Sequence, residues 1–239
     1  RELATVIHIG RVAELRQIAE SGGRLRIGAG VTYTDVEATI ARHFPDFGEL
    51  MRRLGAQQVR NAGTMGGNVA NGSPIGDSPP ALIALGAELV LRHGEERRRI
   101  PLEDFFLAYG KQDRAPGEFV EAIEVPLLDD PERLKCYKLT KRFDQDIAAV
   151  CGCFNLRVNA GVCGEARICY GGMAATPKRA RAVEAALTGK PWTAATVEQA
   201  MAAFERDFAP IDDMRASASY RMRAAKNLLL KYFRESSHP

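Results

Sequence analysis

Apolar residues in the first half of the chain switch between strand-like and helix-like spacing. TVIHIG predicts a short strand, and RVAELRQIAESGG predicts a helix with Val12, Leu15 and Ile18 on one face. LRIGAG predicts a second strand, and TYTDVEATIARHF and FGELMRRLG predict two further helices. After residue 80 a short apolar helix precedes two strands that turn at HGEE, and GEFVEAIEVPLL predicts another strand. This alternation indicates a layered α/β or α+β unit.

The second half has a different rhythm, which begins after the charged, proline-containing stretch LLDDPERL near residue 130. LKCYKLTKR, IAAVCGCFNLRV and GEARICYGGM predict three antiparallel strands joined by turns at FDQD and NAGVCG. Helices are predicted over PKRARAVEAALTG, TAATVEQAMAAFERDF and SASYRMRAAKNLLLKYFRES. We therefore predict an α+β fold with two domains. Residues 1–128 form a mixed or antiparallel sheet with helices, and residues 132–237 form a three-stranded antiparallel sheet with packed helices.

Composition narrows the classes of function. The chain has 239 residues, of which 46% are hydrophobic and 26% charged, as in ordinary globular proteins. A dispersed net charge of +3 argues against a nucleic-acid partner, and the absence of an 18-residue apolar run argues against a membrane span. The five cysteines include no C-x-x-C pair, so neither a zinc ribbon nor a common iron–sulfur spacing is available. Free thiols fit a reduced, cytoplasmic compartment best.

The glycine-rich segment AGTMGGNVANGSPIGDSPP, residues 62–80, is the strongest candidate for chemistry. It lacks the Gly-Lys-Ser/Thr triplet of phosphate loops, and its glycines do not fit the spacing of the dinucleotide fingerprint. One interpretation is a loop whose glycines let the backbone approach a ligand closely while small polar side chains hydrogen-bond to it. The other is a structural pair of turns between packed elements. The residues alone leave both open.

The segment QQVRNAGTMGGNVANGSPIGDSPPALIALGAEL resembles the FAD-domain signature of the molybdenum-hydroxylase flavoproteins, whose general pattern is IRNVxxxGGNIxxxSPxxD. YKLTKRFDQDIAAV and ICYGGMAATPKRA are similar to two further segments of the same subunits, in the same order. NGSPIGDSPPALIALGAE looks more like bacterial xanthine dehydrogenases than like their carbon monoxide or aromatic acyl-CoA relatives. The resemblance implies an FAD-binding lobe of the PCMH type, followed by a domain like the C-terminal domain of the carbon monoxide dehydrogenase flavoprotein.

The same resemblance implies a set of cofactor-binding residues and no catalytic residue of the protein itself. Asp77 matches the acid that holds cofactor hydroxyls, Val120 a backbone contact, and Lys138 a lysine that reaches the cofactor. From the residues alone, Asp77 fits the N-cap of a helix equally well, and Lys138 fits a solvated charge better. Leu54 stands where relatives often place an aromatic residue over the adenine, so stacking of that form is lost. The implied residues are Leu54, Thr64, Met65, Gly66, Gly67, Asn68, Ala70, Asp77, Val120, Lys138 and Ile147.

In function, the resemblance implies a subunit of the xanthine dehydrogenase type that passes electrons from iron–sulfur clusters through FAD to NAD. The molybdenum cofactor and the 2Fe-2S clusters would belong to a large subunit and an iron–sulfur domain outside these residues. The family's first flavin-domain lobe, with a GGTD-like pyrophosphate loop, has no match here, so we expect a C-terminal part that binds FAD weakly and is inactive alone. The alternatives are a carbon monoxide or aromatic acyl-CoA dehydrogenase relative, or an assembly domain that has lost FAD.

Overall fold

The N-terminal half builds a five-stranded antiparallel sheet in this computed structural model, which describes residues 6–236. Its strands are β1 Ile18–Ser21, β2 Arg24–Gly28, β3 Glu88–His93, β4 Glu96–Pro101 and β7 Phe119–Pro126. Their order across the sheet is β1-β2-β7-β3-β4. Strands β5 Phe106–Ala108 and β6 Lys111–Gln112 form a separate small hairpin. The hairpin predicted at HGEE and the strand predicted over GEFVEAIEVPLL are confirmed as β3, β4 and β7.

The helices of this half cover one face of the sheet. They are α1 Tyr33–His43, α2 Pro45–Arg52, α3 Gln57–Ala62, α4 Met65–Asn71, α5 Ser78–Ala84 and α6 Leu102–Phe105. The α1 side chains Val36 and Ile40 recur at helical spacing and are fully buried. Thr32 caps the same helix by accepting a hydrogen bond from the Asp35 amide at 3.1 Å. The periodicity of TYTDVEATIARHF therefore predicted this helix correctly.

The two predictions nearest the N-terminus are wrong. Residues 6–10 form no strand, and Thr5 lies outside the described residues. Residues 11–23 hold a 3₁₀ turn, Ala13–Arg16, followed by strand β1, not one helix. Gly22 and Gly23 have φ angles of +58° and +72°, so they form the two-residue turn of the β1–β2 hairpin. The glycine pair at the end of RVAELRQIAESGG is therefore a hairpin signal and does not mark the end of a helix.

The second half is organised around a four-stranded antiparallel sheet. Its strands are β8 Leu134–Leu139, β9 Val150–Asn159, β10 Val162–Gly171 and β11 Lys178–Arg179, in the order β11-β10-β9-β8. A 3₁₀ turn, Pro131–Arg133, precedes β8. The helices are α7 Arg181–Leu187, α8 Ala194–Met201, α9 Phe204–Asp207 and α10 Ala218–Ser236. The sequence predicted three strands; the two-residue β11 is too short to produce an alternating pattern. The helix predicted over TAATVEQAMAAFERDF is divided into α8 and α9.

Helix α5 lies between the two sheets and joins their cores. All seven of its residues are buried, and it contacts β9 and β10 as well as α4. The core around α5 includes Cys151, Cys153 and Cys169 of the second sheet, while Phe154 and Tyr170 on the opposite face of that sheet pack beneath α10. Within residues 6–236, none of the helices combines the length and hydrophobicity needed to cross a bilayer.

Candidate flavin site

Helix α4 brings the glycine-rich segment onto the end of strand β2. The Thr64 hydroxyl caps α4 by accepting a hydrogen bond from the Gly67 amide at 3.0 Å. A Cβ atom added to Gly66 would lie 2.4 Å from the Cβ of Ala29, so only glycine permits this close packing. Gly67 is exposed, and the single heavy atom that its added Cβ would meet is the Thr64 hydroxyl oxygen. The two adjacent glycines thus differ: Gly66 serves packing, and Gly67 leaves one side of α4 open.

Asp77 and Lys138 form a buried ion pair that connects the start of α5 to strand β8. The Lys138 Nζ donates to the Asp77 Oδ2 at 2.6 Å, and the two side chains are 2% and 9% exposed. Asp77 occupies the N-cap position of α5, as the residue pattern allowed, but its side chain makes no capping hydrogen bond and pairs with Lys138 instead. The solvated-charge interpretation of Lys138 is wrong. Burial raises the pKa of the Asp77 carboxyl, and the positive charge of Lys138 opposes that rise.

A chain of buried hydroxyl groups sets the orientation of Asn68. The Ser78 Oγ donates to the Asn68 Oδ1 at 2.6 Å and lies 2.7 Å from the Tyr33 hydroxyl, which can donate to it in turn. Burial raises the pKa of Tyr33, so this phenol stays protonated at neutral pH. Because its amide oxygen accepts from Ser78, Asn68 keeps its amide nitrogen as a donor for another group.

A cavity of about 250 Å³ lies where these elements meet the loop before β9. Its walls come from the turn after α2, from α4, from the 73–77 segment and from the 145–147 loop. They include Leu54, Asn68, Ser73, Ile75, Asp77 and Ile147. The Asp77 Oδ1 is buried and has no hydrogen-bond partner within residues 6–236. A buried carboxylate oxygen without a partner is costly, so a hydroxyl-bearing ligand that donates to it would stabilise the site.

Arg53 anchors the acidic loop, residues 143–147 with Asp144 and Asp146, at the rim of this cavity. Its Nη2 donates to the Phe143 carbonyl at 2.8 Å, and its guanidinium lies 5.1 Å from the centre of the Phe143 ring. Asp146 accepts hydrogen bonds from the Arg142 amide and guanidinium and from the Ile147 amide, and these bonds hold its pKa at about 2. Asp146 therefore remains charged at neutral pH, while Ile147 is left half-exposed at the cavity.

The structure gathers only part of the predicted set of site residues. Leu54, Asn68, Asp77 and Ile147 line the cavity, and Lys138 stands directly behind Asp77. Thr64, Gly66, Gly67 and Ala70 lie on or beside α4 but do not line it; the Ala70 carbonyl accepts from the Gln112 side chain. Met65 and Val120 are buried in the core, which leaves only their backbone for ligand contact.

Sequence reasoning missed three residues that build the site. Ser78 and Tyr33 orient Asn68, and Arg53 anchors the acidic loop. Ser78 was inside the glycine-rich segment that the sequence singled out, and its position directly after Asp77 was a usable signal. Tyr33 and Arg53 carry no such signal, because their roles depend on contacts across 45 and 90 residues of sequence.

Comparison with known proteins identifies the family. Residues 1–128 match the FAD binding domain in molybdopterin dehydrogenase, and residues 135–236 match the CO dehydrogenase flavoprotein C-terminal domain. The chain belongs to the FAD-binding subunits of the molybdenum hydroxylases. The family resemblance and the α+β fold class inferred from the sequence are thereby confirmed.

Individual relatives show how far the similarity extends. Xanthine dehydrogenase of Emericella nidulans is 34% identical over 218 residues, which are 84% of this chain and 16% of that protein. The glyceraldehyde dehydrogenase medium chain of Sulfolobus acidocaldarius is 31% identical over 232 residues, covering 96% of this chain and 82% of that one. A carbon monoxide dehydrogenase structure from Hydrogenophaga pseudoflava superposes with a TM-score of 0.86 and 32% identity, covering 92% of this chain and 77% of that chain.

Proposed function

We propose that this chain carries the FAD of a xanthine dehydrogenase-type enzyme and passes electrons from 2Fe-2S clusters to NAD. The observation that carries the flavin assignment is the buried Asp77 Oδ1, which has no hydrogen-bond partner among the described residues and belongs to a cavity that Asn68 also lines. FAD, when bound, supplies two-electron chemistry that neither carboxylate nor amide can provide. The molybdenum cofactor and the clusters belong, in this proposal, to a large subunit and an iron–sulfur domain.

The residues of the cavity have complementary tasks in this proposal. Asp77 accepts hydrogen bonds from hydroxyl groups of the cofactor, and Lys138 holds that carboxylate in place and favours its charged form. Asn68 donates from its amide nitrogen, which its bond to Ser78 leaves available. Ile147 offers a half-exposed apolar side chain to a flat ring, and Leu54 offers an aliphatic surface where relatives use an aromatic one. The glycine-rich segment and the 143–147 loop then surround one ligand.

A second cavity next to the first supports NAD as the acceptor. It has a volume of about 310 Å³ and shares Ser73 and Ile75 with the flavin cavity. Tyr109, which is 74% exposed, and Arg215 also line it. An exposed aromatic ring and a guanidinium suit the adenine and phosphates of a dinucleotide.

We choose xanthine as the substrate of the whole enzyme because this chain is 34% identical to a xanthine dehydrogenase. The superposition on a carbon monoxide dehydrogenase favours carbon monoxide as a second candidate substrate. We also propose a cytoplasmic location, and a division into a flavin-binding unit over residues 1–128 and a C-terminal unit over residues 132–237. Assay of the purified complex with xanthine and NAD, and separately with carbon monoxide, decides between the substrates.

Titration of the chain with FAD tests the flavin site itself. The titration extends to about 1 mM FAD, which captures binding energies as weak as about 4 kcal/mol. We expect saturable quenching of flavin fluorescence that Asp77→Asn weakens at least about tenfold, because the amide cannot offer a charged acceptor. Asp104→Asn, at an exposed acid outside the cavity, is the matched control and should bind as the unchanged chain does. Equal binding by both variants would refute the proposed role of Asp77.

A further inference from the structure

Arg221 of helix α10 has the largest fully buried side chain in the described part of the protein, with 2% of its surface exposed. Its Nη1 donates to the carbonyls of Ala149 and Gly172, and its Nη2 donates to the Asp213 Oδ1 at 2.5 Å. The Nε is buried without a partner among residues 6–236. Burying a guanidinium is costly unless its donors are satisfied, so this arrangement calls for an explanation beyond core packing.

The bond to Gly172 connects Arg221 to one wall of the flavin cavity. The Gly172 carbonyl accepts from Arg221 at 3.1 Å, and its amide donates to the Pro74 carbonyl at 2.8 Å. Gly172 has a φ of +80°, and an added Cβ would lie 2.3 Å from the Ala149 oxygen. Only glycine can occupy this position. Through this one residue, Arg221 is connected to the 73–77 segment.

The bond to Ala149 connects Arg221 to the opposite wall. Ala149 lies two residues after Ile147, and its amide donates to the Leu139 carbonyl at 2.8 Å, which fixes the base of the acidic loop. Arg221 thus contacts the supports of both the 73–77 segment and the 145–147 loop. A single guanidinium can hold two carbonyls at a set separation because its donors form a planar, rigid fork.

Asp213 supplies the counter-charge that lets Arg221 be buried. Burial disfavours the charged carboxylate, but hydrogen bonds from the amides of Arg215 and Ala216 and from Arg221 outweigh it and hold the pKa of Asp213 at about 2. Asp213 and Arg221 also line the second cavity. The pair therefore connects the loop before α10 to the supports of both cavities.

We propose that Arg221 is a positioning residue that fixes the separation of the two walls of the flavin cavity. The inference rests on the proposed flavin site, but the contacts that carry it exist in the chain without cofactor. Arg221 makes no hydrogen bond to Asp77 or Ile147, which line the cavity, and acts through the backbone groups of Gly172 and Ala149. Removal of the Arg221 guanidinium should lower both the local order of the cavity walls and the affinity for FAD.

The test compares Arg221→Met and Arg221→Lys with two controls on the same helix. Arg223→Met removes an exposed arginine, and Leu229→Ala destabilises α10 through a fully buried residue away from the cavity. Hydrogen exchange of the Gly76, Ala149 and Gly172 amides is measured without cofactor, and FAD affinity is measured by titration. Thermal unfolding reports the global stability of each variant.

We expect Arg221→Met to lose at least about tenfold of the exchange protection at Gly172 and at least about tenfold of FAD affinity, because charge-assisted hydrogen bonds to two carbonyls disappear. Arg221→Lys should fall between it and the unchanged chain. Leu229→Ala should lower the melting temperature yet keep FAD affinity and Gly172 protection. Arg223→Met should change neither.

Two results would overturn the proposal. One is that Arg221→Met keeps the unchanged affinity and protection. The other is that it and Leu229→Ala lose affinity in proportion to their melting temperatures, which would make the role of Arg221 one of general stability. If Arg221→Met does not fold, Arg221→Lys decides by the same criteria. If even the unchanged chain binds no FAD, the proposed function fails, while the exchange data still decide whether Arg221 orders the walls.

Discussion

The two sheets bury their faces in different ways. Strand β9 is covered by α5 on one face and by α10 on the other, and seven consecutive residues from Val150 are buried. Strand β7 of the five-stranded sheet has the core on one face only. On its other face Glu121 and Glu124 pair with arginines of β2, β3 and β4. One sheet is held by apolar packing on both faces, and the other carries a layer of ion pairs.

This difference determines where a substitution should be costly. Partly exposed ion pairs contribute less than about 1 kcal/mol each, because water and salt screen them. A buried leucine or a buried charge pair is worth several times more. The candidate site lies beside the start of α5, at the boundary between the two arrangements, and the buried Asp77–Lys138 ion pair crosses this boundary. We therefore ask whether a substitution at this boundary costs as much stability as one in the apolar core of the second sheet, or as little as one in the ion pairs of the first.

The largest effect is expected at Lys138. Lys138→Met leaves the Asp77 carboxylate buried without its counter-charge, which should destabilise the fold by about 3–5 kcal/mol. Arg24→Met is the matched control, since it breaks the partly exposed Arg24–Glu88 pair of the five-stranded sheet and should cost less than about 1 kcal/mol. Urea unfolding of both variants measures the difference. Equal costs would show that the buried pair is no stronger than a surface one.

The second-largest effect is expected in the apolar packing around helix α5. Leu82 of α5 is fully buried, and Leu82→Ala should cost about 2–5 kcal/mol because it removes apolar contacts and leaves a cavity between the sheets. Leu107→Ala makes the same chemical change at a residue that is 56% exposed on the small hairpin, and should be nearly neutral. Midpoints from urea unfolding compare the two directly. A cost below about 1 kcal/mol for Leu82→Ala would mean that α5 is not a shared core element.

The fold was predictable wherever one face of an element decides its pattern. Val36 and Ile40 marked α1 because the other side of that helix faces water. The N-terminal turn and β1 were not predictable in this way, since only Leu15 of the supposed apolar face is buried, and a hairpin replaced the helix. Strand β11 was missed because a two-residue strand has no period. Local pattern fails where few residues pack or where the element is short.

The candidate site was predictable by residue type but not by environment. The glycine-rich segment pointed to Asn68 and Asp77, and the family resemblance pointed to Lys138. The neighbouring residues could not predict that Lys138 is buried and paired, because its partner Asp77 lies 61 residues away in the sequence. The same holds for Arg221, whose sequence neighbours give no sign of its contacts with Ala149 and Gly172, 72 and 49 residues away. Long-range contacts decide whether a charge is solvated or structural.

The dependence of stability on acid offers a smaller test that compares one paired carboxylate from each half. The pKa of Asp213 in the second half and the pKa of Glu118 in the first both lie at about 2, below their ordinary values. For each, the stabilisation is present above the unfolded-state pKa of about 4 and is lost as the pH falls toward 2. Asp213→Asn should remove about 1–2 kcal/mol at neutral pH and flatten the loss of stability between pH 4 and pH 2.

Unfolding in urea at a series of pH values checks this expectation. Glu118→Gln is the counterpart in the five-stranded sheet, where Arg98 donates to the carboxylate at 2.7 Å and lowers its pKa. For Glu118→Gln, the plot of the free energy of unfolding against pH should also flatten between pH 4 and pH 2. If the slope of stability against pH were unchanged in Asp213→Asn, the carboxylate would not be the acid-sensitive group of the α10 region.

The smallest effect separates stability from function at two equivalent helix caps. Thr64 caps α4 beside the candidate site through the Gly67 amide, and Thr193 caps α8 in the second half through the Thr196 amide at 3.3 Å. Replacing either by alanine should cost about 1 kcal/mol, because one helix-terminal amide loses its acceptor. Only Thr64→Ala should also weaken FAD binding, since α4 carries Asn68 and Gly67 toward the cofactor in the proposed function. Thr64→Ser retains the hydroxyl and should restore both properties. If Thr193→Ala weakened FAD binding as much as Thr64→Ala at equal loss of stability, the effect on the flavin site would come from general destabilisation, and α4 would have no special part in binding.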